Sequence, residues 1–362
     1  MAFRAGAAQE PELRVQNGDH AERYVKRGAD HDTPCMSQLR LDPLTGRWVV
    51  MSDERASRPQ AFQSRWMPVH GDPDRPCPFC PGNEEATPPA LETYGPTGQW
   101  LVRVVPNLFP AFQGKVPMVV SHLGPVFTQA PASGIHEVLV ISPEHDLSWS
   151  ELSDPQAGLV MAAIRDRIEE HAAQPGLRYS QAIVNFGREA GASLDHPHGQ
   201  LMGMPFVPRE ISDELAGFAR FEGSCLICTA ADAEEEVGHR VVYADDRCLV
   251  LCPFWSGTPY EMLVVPRRHD PHLHHAEPAD LAAVGRAMRN ALALLRRRFG
   301  DLSYNLVFHS APYRTSSTFH WHVHMLPKLT TQAGFELGTG VLINVVPPEQ
   351  AADDLRAEVA IQ

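Results

Sequence analysis

Residues 195–200 read DHPHGQ, and residues 320–324 read HWHVH, so a stretch of alternating histidines lies in each half of the chain. Asn185 lies 11 residues before the first histidine of the first stretch, and His309 lies 11 residues before the first histidine of the second. Agreement at several fixed distances is typical of an internal repeat. The second half therefore reads as a copy of the first.

A longer spacing extends the repeat upstream of both stretches. His145 precedes His196 by 51 residues, and His269 precedes His320 by the same 51 residues. Short β-rich segments and one amphipathic helix recur in the same order in each half. We therefore predict an α+β fold made by tandem duplication of a histidine-triad-like unit, with antiparallel sheets and helices packed on them.

The domain organisation follows from the length and from this repeat. A chain of 362 residues favours two domains or a doubled one. Residues 1–36 are polar and lack periodicity, which predicts a disordered extension. We predict a first unit with the active site over residues 37–210, and a second unit with the C-terminal tail over residues 211–362. The two helices are expected at 150–172 and 278–299.

Composition excludes several classes of partner. The net charge of −13 disfavours binding to nucleic acid, since proteins that bind polyanions are usually basic. No run of 18 apolar residues is present, so we expect no membrane span. The first residues lack the apolar segment of a signal peptide, and we expect a cytoplasmic protein.

Four of the seven cysteines form two Cys-x-x-Cys pairs. Structural zinc sites commonly combine such a pair with two distant histidines. We predict two zinc sites, formed by Cys77, Cys80, His145 and His196 in the first half and by Cys225, Cys228, His269 and His320 in the second. Crowded histidines at 269–275 leave the third ligand of the second site open. Buried reduced thiols and redox pairs are the alternatives.

The residues of DHPHGQ suggest a division of roles. We expect zinc to hold His196, while the metal-free His198 acts as a nucleophile that attacks phosphorus. Gly199 would let the backbone approach a phosphate closely. Gln200 would donate an amide N–H to a phosphate oxygen, but it cannot supply a proton near neutral pH. The alternative is that both histidines bind metal or are structural.

Several motifs together resemble those of a known family. HPHGQ, CPFC, the opening DPLTGRWVVMSDERASRP and the closing HWHVHMLP resemble the galactose-1-phosphate uridylyltransferase family, a branch of the histidine-triad superfamily. The resemblance covers roughly residues 37–356. It implies ping-pong transfer through a nucleotidyl-His198, with UDP-glucose as the donor and galactose 1-phosphate as the acceptor. It also implies a homodimer whose active sites are shared between subunits.

The resemblance also assigns residues that bind substrate. Asn185 and Ser193 match positions that bind nucleotide phosphates, and Asn107 is placed in the same substrate-binding set. Arg55 and Arg58 match basic residues that meet phosphate in the family. Two solvated arginines are the plain alternative.

The second half departs from the uridylyltransferase pattern. Some family members bind iron through a late His-x-His, which His322 and His324 match. The second Cys-x-x-Cys cluster and the tail instead resemble a plant relative that acts as an ADP-glucose phosphorylase, so adenine competes with uracil as the base. That branch departs from HPHGQ, which this chain keeps, and the uridylyl interpretation is therefore preferred.

Two other functional classes compete with a transferase. Histidine-triad hydrolases usually carry histidine at the position of Gln200, and they would not accumulate a labelled enzyme. A non-catalytic zinc module would be expected to have a basic, aromatic-rich surface, whereas this chain is acidic.

Overall fold

A ten-stranded antiparallel sheet contains strands from both halves of the chain. The computed structural model describes residues 37–57, 76–315 and 318–359, so the predicted extension at 1–36 lies outside the described residues. The strands are β1 (Gln38–Leu41), β2 (Trp48–Met51), β3 (Glu92–Tyr94), β4 (Val102–Pro106), β5 (Ser121–Leu123), β6 (Phe127–Gln129), β7 (Ile135–Val140), β8 (Tyr179–Phe186), β9 (His198–Met204), β10 (Val241–Ala244), β11 (Cys248–Leu251), β12 (Met262–Pro266), β13 (Tyr304–His309), β14 (His322–Pro327) and β15 (Leu342–Asn344). The α-helices are α1 (Asp154–Ala172), α2 (Arg209–Arg220), α3 (Leu226–Val237), α4 (Pro278–Phe299), α5 (Gly334–Thr339) and α6 (Pro348–Ala357).

The order of strands in this sheet reproduces the sequence repeat. The order is β10-β11-β12-β14-β13-β8-β9-β7-β4-β3, and β13 pairs with β8 at the centre. Read outward from that centre, the second half runs β13-β14-β12-β11-β10 and the first half runs β8-β9-β7-β4-β3. The predicted α+β fold with antiparallel sheets is confirmed. The two predicted units share one sheet, and the boundary predicted at 210 falls inside α2.

Helices α1 and α4 pack against each other on one face of the sheet. They are counterparts in the repeat, since each connects the third strand of its half to the fourth. Gly285 allows close contact, because a Cβ there would lie 2.7 Å from the carbonyl oxygen of Ala157. Met161 and Ile164 of α1 are fully buried in this core. Burial of each such side chain stabilises the fold by about 1.5–3 kcal/mol.

The opposite face of the sheet carries smaller clusters, including one in each half of the chain. Phe79, from the first Cys-x-x-Cys, packs on Val138 and Val140 of β7. The second cluster includes Cys225 and Phe319. Side chains alternate along a strand, so this face also receives every second residue of β7 and β9.

A three-stranded sheet joins the first hairpin to the tail, in the order β1-β2-β15. Strands β1 and β2 form a hairpin: Gly46 has φ +77°, and its N–H donates to the carbonyl oxygen of Asp42 at 2.8 Å. Strands β5 and β6 pair only with each other among the described residues. Within those same residues, none of the helices combines the length and the apolar character that crossing a bilayer requires.

Candidate active site and metal centres

The first Cys/His cluster forms where the CPFC turn meets two loops of the sheet. The Nδ1 atom of His196 lies 3.6 Å from Cys77 Sγ and 3.5 Å from Cys80 Sγ. His145 Nδ1 lies 3.3 Å from Cys80 Sγ. The ligand atoms of all four residues lie within 4.8 Å of one another. The structure therefore brings together the four residues predicted for the first metal site.

The orientation of His196 suits a metal ligand. Its Nε2–H donates to the carbonyl oxygen of Ser142 at 2.8 Å, which leaves the Nδ1 lone pair facing the thiols. Burial lowers the pKa of His196 to about 4, so the ring is neutral at pH 7. Metal-binding histidines commonly donate their second ring N–H to such a carbonyl. Two thiolates and two neutral imidazoles fit a structural Zn²⁺ ion.

His198 is held in the opposite sense from His196. It is the first residue of β9 and is 5% exposed. Its Nδ1–H donates to the carbonyl oxygen of His196 at 2.8 Å, so the lone pair is on Nε2. Burial lowers the pKa of His198, which favours the neutral ring. Among the described residues, the cluster that could hold a metal includes His196 and leaves His198 out.

Two amide side chains flank His198 on the sheet. Asn185 is opposite His198, because the neighbouring pair on β8 and β9 is Val184 with Gly199. Gln200 lies two residues further along β9, and alternation places it on the same face as His198. Phe79 covers one side of His198, with ring centroids 5.2 Å apart.

The remaining predicted residues of the first half lie around this group. Ser193 is exposed in the loop before β9, and Asn107 is half-buried directly after β4. A Cβ at Gly199 would lie 3.0 Å from the carbonyl oxygen of Ile183 and would face Val184, on the helix side of the sheet. An added Cβ would therefore crowd the β8 backbone. The close approach of the Gly199 backbone to a phosphate stays a prediction.

Arg55 lies in a 3₁₀-helix, Asp53–Ser57. It lines a cavity of about 300 Å³ with Gly257, Thr258 and tail residues between 330 and 345. The described residues that line this cavity do not include His198 or Gln200. The prediction for Arg58 lies outside the described residues.

The second Cys/His cluster repeats the first. His320 Nδ1 lies 3.3 Å from Cys228 Sγ and 3.8 Å from Cys225 Sγ, and His269 Nδ1 lies 3.8 Å from Cys228 Sγ. His320 Nε2–H donates to the carbonyl oxygen of Pro266 at 2.8 Å. The four ligand atoms lie within 4.8 Å of one another. His269 is thus the third member of this group, which answers the question left open by the crowded histidines.

A third cluster joins Glu214 of α2 to His309, His322 and His324 on β13 and β14. Glu214 is 1% exposed, and its carboxylate lies 2.7 Å from His309 Nδ1. Burial acts to raise the pKa of this carboxyl, but the surrounding imidazoles outweigh burial and hold it well below its usual range. Three imidazoles and one carboxylate suit a zinc or iron ion.

His322 shows how the second copy differs from the first. Its Nδ1–H donates to the carbonyl oxygen of His320 at 2.8 Å, as His198 does to His196. Its Nε2 then faces His324 Nε2 at 3.1 Å, inside the third cluster. The position that could be a nucleophile in the first half is thus part of a candidate metal site in the second.

Comparison with known proteins identifies the family. Residues 27–208, half of the chain, match the N-terminal domain of galactose-1-phosphate uridyl transferase, and residues 234–331 match the HIT domain. The chain is 31% identical to ADP-glucose phosphorylase of Arabidopsis thaliana, over 88% of this chain and 92% of that protein. It is 29% identical to galactose-1-phosphate uridylyltransferase of Thermotoga maritima, over 89% of this chain and 98% of that one.

The solved structures agree with these relatives. The crystal structure of the Arabidopsis thaliana ADP-glucose phosphorylase with bound ADP-glucose aligns with a TM-score of 0.75 and 29% identity, and it covers 89% of this chain and 99% of its own. HPHGQ and the first Cys/His cluster lie within the residues 27–208 that match the uridyl transferase domain. The chain belongs to the galactose-1-phosphate uridylyltransferase family of transferases.

Proposed function

We propose that this protein is a nucleotidyltransferase that works through a covalent nucleotidyl-His198. The observation that carries this proposal is the orientation of one ring. Nδ1–H of His198 is engaged by the His196 carbonyl, so the Nε2 lone pair is free of the first Cys/His cluster. A neutral, metal-free imidazole held in this way is a competent nucleophile.

The reaction divides into two displacements at phosphorus. The Nε2 lone pair attacks the α-phosphorus of a sugar nucleotide, an N–P bond forms, and the P–O bond to glucose 1-phosphate breaks. A phosphate oxygen of an acceptor hexose 1-phosphate then attacks the same phosphorus, and the N–P bond breaks to regenerate His198. Gln200 has no ionisable proton, so the intermediate waits for the acceptor. We propose that the side chains of Asn185, Gln200 and Ser193 donate hydrogen bonds to the phosphate oxygens.

The metals complete the proposal in a supporting role. Cys77, Cys80, His145 and His196 would hold one zinc ion, and Cys225, Cys228, His269 and His320 a second. The Glu214 cluster would hold a further zinc or iron ion. Each ion would cross-link strands and loops. Neither displacement at phosphorus would involve an ion directly.

UDP-glucose is the proposed donor and galactose 1-phosphate the proposed acceptor. HPHGQ and the uridylyltransferase relatives support this choice. ADP-glucose is the second candidate, because the relative at 31% identity is an ADP-glucose phosphorylase, for which inorganic phosphate is the acceptor to test. Cys-x-x-Cys pairs that bind metal are typical of proteins in a reducing compartment, which supports the proposed cytoplasmic location.

A homodimer with shared sites is part of the proposal. The segment around the β5–β6 hairpin exposes apolar side chains, and an isolated two-stranded hairpin is marginal in water. The most exposed are Leu108, Phe109, Val116, Val119, Val126 and Phe127. Arg55 lines a cavity whose described lining residues do not include His198, which is expected if Arg55 completes the partner's site.

Complementation tests this shared arrangement. Arg55→Ala and His198→Asn should each have little activity alone. When the two are mixed after unfolding and refolding, about a quarter of all sites should regain both residues if subunits pair at random. Activity no higher than the sum of the separate variants would exclude shared sites.

The chemical test uses both donors separately. The enzyme is incubated with labelled UDP-glucose or ADP-glucose without acceptor, and bound label and released glucose 1-phosphate are measured. With the label on the nucleotide, a transferase accumulates one mole of labelled protein for each mole of glucose 1-phosphate released. A hydrolase releases free nucleotide continuously and retains no label, which would contradict the proposal.

A further inference from the structure

We propose that His136 and Asn305 are positioning residues that hold the amides of Gln200 and Asn185 with their NH₂ groups toward the nucleotide phosphate. An amide side chain can present either its oxygen or its nitrogen to a ligand, and only the nitrogen can donate to a phosphate oxygen. This inference rests on the proposed function and deepens it.

His136 fixes Gln200 through the proton on its ring. The backbone N–H of Ala111 donates to His136 Nδ1 at 3.0 Å, so Nδ1 must be the acceptor nitrogen. A neutral imidazole then carries its proton on Nε2. That nitrogen lies 2.9 Å from Gln200 Oε1 and donates to it. The carbonyl end of Gln200 is thereby occupied, and its NH₂ end is left for a ligand.

Asn107 contacts the same ring without competing for this role. Its Oδ1 accepts the N–H of Phe109 at 2.9 Å, so its Nδ2 faces His136 Nε2 at 3.1 Å. Both atoms are donors in this arrangement, because the ring has no further lone pair. The contact is therefore a close approach of two donors, and the Nε2 proton of His136 is left for Gln200.

Asn305 fixes Asn185 from the second half of the chain. Its Nδ2 donates to the carbonyl oxygen of Ala190 at 2.9 Å, and a carbonyl oxygen can only accept. The same Nδ2 donates to Asn185 Oδ1 at 2.8 Å, across the central β13–β8 pair. In each case a backbone group removes the ambiguity of the amide orientation. The second copy of the repeat thus shapes the active site of the first.

A double-mutant cycle tests the His136 arm. His136→Phe removes the donor, and we expect the rate of protein nucleotidylation to fall about ten- to a hundredfold, with a smaller change in KM for the donor. In a Gln200→Met background the same change should cost less than about twofold, because its target is gone. His136→Gln can accept from Ala111 and still donate, so it should recover most of the rate. Equal losses in both backgrounds would overturn this role.

An isosteric change tests the Asn305 arm. Asn305→Asp replaces the donating nitrogen by an oxygen, so Asn185 must turn its NH₂ inward, and the nucleotidylation rate should fall at least about tenfold. Asn290→Asp adds the same charge on the half-buried face of α4 and should leave the rate unchanged. Asn305→Ser removes the donor without a charge and serves if the aspartate variant does not fold. Equal rates for the variants at 305 and at 290 would overturn this arm.

Different results would exclude the proposed function and the positioning role. If the unmodified protein takes up no nucleotide from UDP-glucose or ADP-glucose, the proposed function falls and this inference falls with it. If the unmodified protein is labelled but the His136–Gln200 cycle is additive, only the positioning role is excluded. Metal content and melting temperature, measured for every variant, separate a loss of fold from a loss of orientation.

Discussion

Glu137→Gln is the perturbation whose cost can be worked out most fully from the structure. Glu137 of β7 is 2% exposed and accepts two hydrogen bonds from Arg167, one from Nε at 2.9 Å and one from Nη2 at 2.7 Å. His171 Nε2 lies 3.2 Å from the same carboxylate. These contacts fix β7 to α1, and the opposite face of β7 presents His136. The variant leaves the buried Arg167 without its main counter-charge.

The expected loss of stability is about 3 kcal/mol. Removing one partner of a buried ion pair usually costs about 3–5 kcal/mol. We take the lower end, because Arg167 keeps a contact with the exposed Glu170 at 2.6 Å. For a chain of 362 residues the melting temperature should fall by about 4 °C. Calorimetry and urea unfolding at pH 7 measure both quantities.

The pH dependence of this loss has a definite sign. Burial acts to raise the pKa of Glu137, but His171 and Arg167 outweigh it, so the folded pKa lies below the usual value. The carboxylate therefore contributes fully above its unfolded pKa of about 4.3, and the contribution is lost as pH falls through the folded value. The difference between unmodified and variant protein should shrink below about pH 4.

Glu170→Gln is the matched control, since it removes an exposed partner of the same Arg167. That carboxylate is 60% exposed, and exposed pairs contribute about 0–1 kcal/mol. Equal losses of stability for Glu137→Gln and Glu170→Gln would show that burial does not strengthen the Glu137–Arg167 pair. A loss for Glu137→Gln that is the same at pH 7 and pH 3.5 would show that the Glu137 charge does not contribute.

Cys77→Ser should remove one metal ion per chain and lower the melting temperature, but turnover per folded molecule should be retained. Elemental analysis and steady-state kinetics measure these quantities. A loss of turnover in fully folded protein would contradict a structural role for the ion. His324→Asn should remove one further ion and leave both Cys/His clusters loaded, and an unchanged metal content would show that the third cluster holds none. Gly199→Ala places a Cβ 3.0 Å from the carbonyl oxygen of Ile183 and should lower the free energy of unfolding by about 1–3 kcal/mol, measured in urea. An unchanged urea midpoint would show that β8 can shift to accommodate the methyl group without loss of stability.

The repeat in the sequence was enough to predict much of this fold. Equal spacings constrain which strands are equivalent, and the helix predicted at 278–299 has those bounds in the structure. The helix predicted at 150–172 begins instead at Asp154. Trp149–Glu151 forms a separate 3₁₀-helix, and Ser153 caps α1 by accepting the N–H of Gln156. Hydrophobic periodicity runs through both elements and does not mark this break.

The two Cys/His clusters could also be predicted, since each depends on spacings that recur. Glu214 could not, because an acidic residue on an amphipathic helix has no signature of its own until the fold turns it toward β13. His309 had a usable signal: it occupies the repeat position of Asn185. His136 was missed because its role depends on the backbone N–H of Ala111, which the sequence does not locate.

The most direct test of the account is an intact-mass measurement of the protein after incubation with UDP-glucose, and separately with ADP-glucose, without acceptor. The account predicts a gain of one nucleoside monophosphate per chain, lost again when the acceptor is added, and no gain in His198→Asn with its metals intact. No adduct with either donor, or an adduct that persists in His198→Asn, would contradict it.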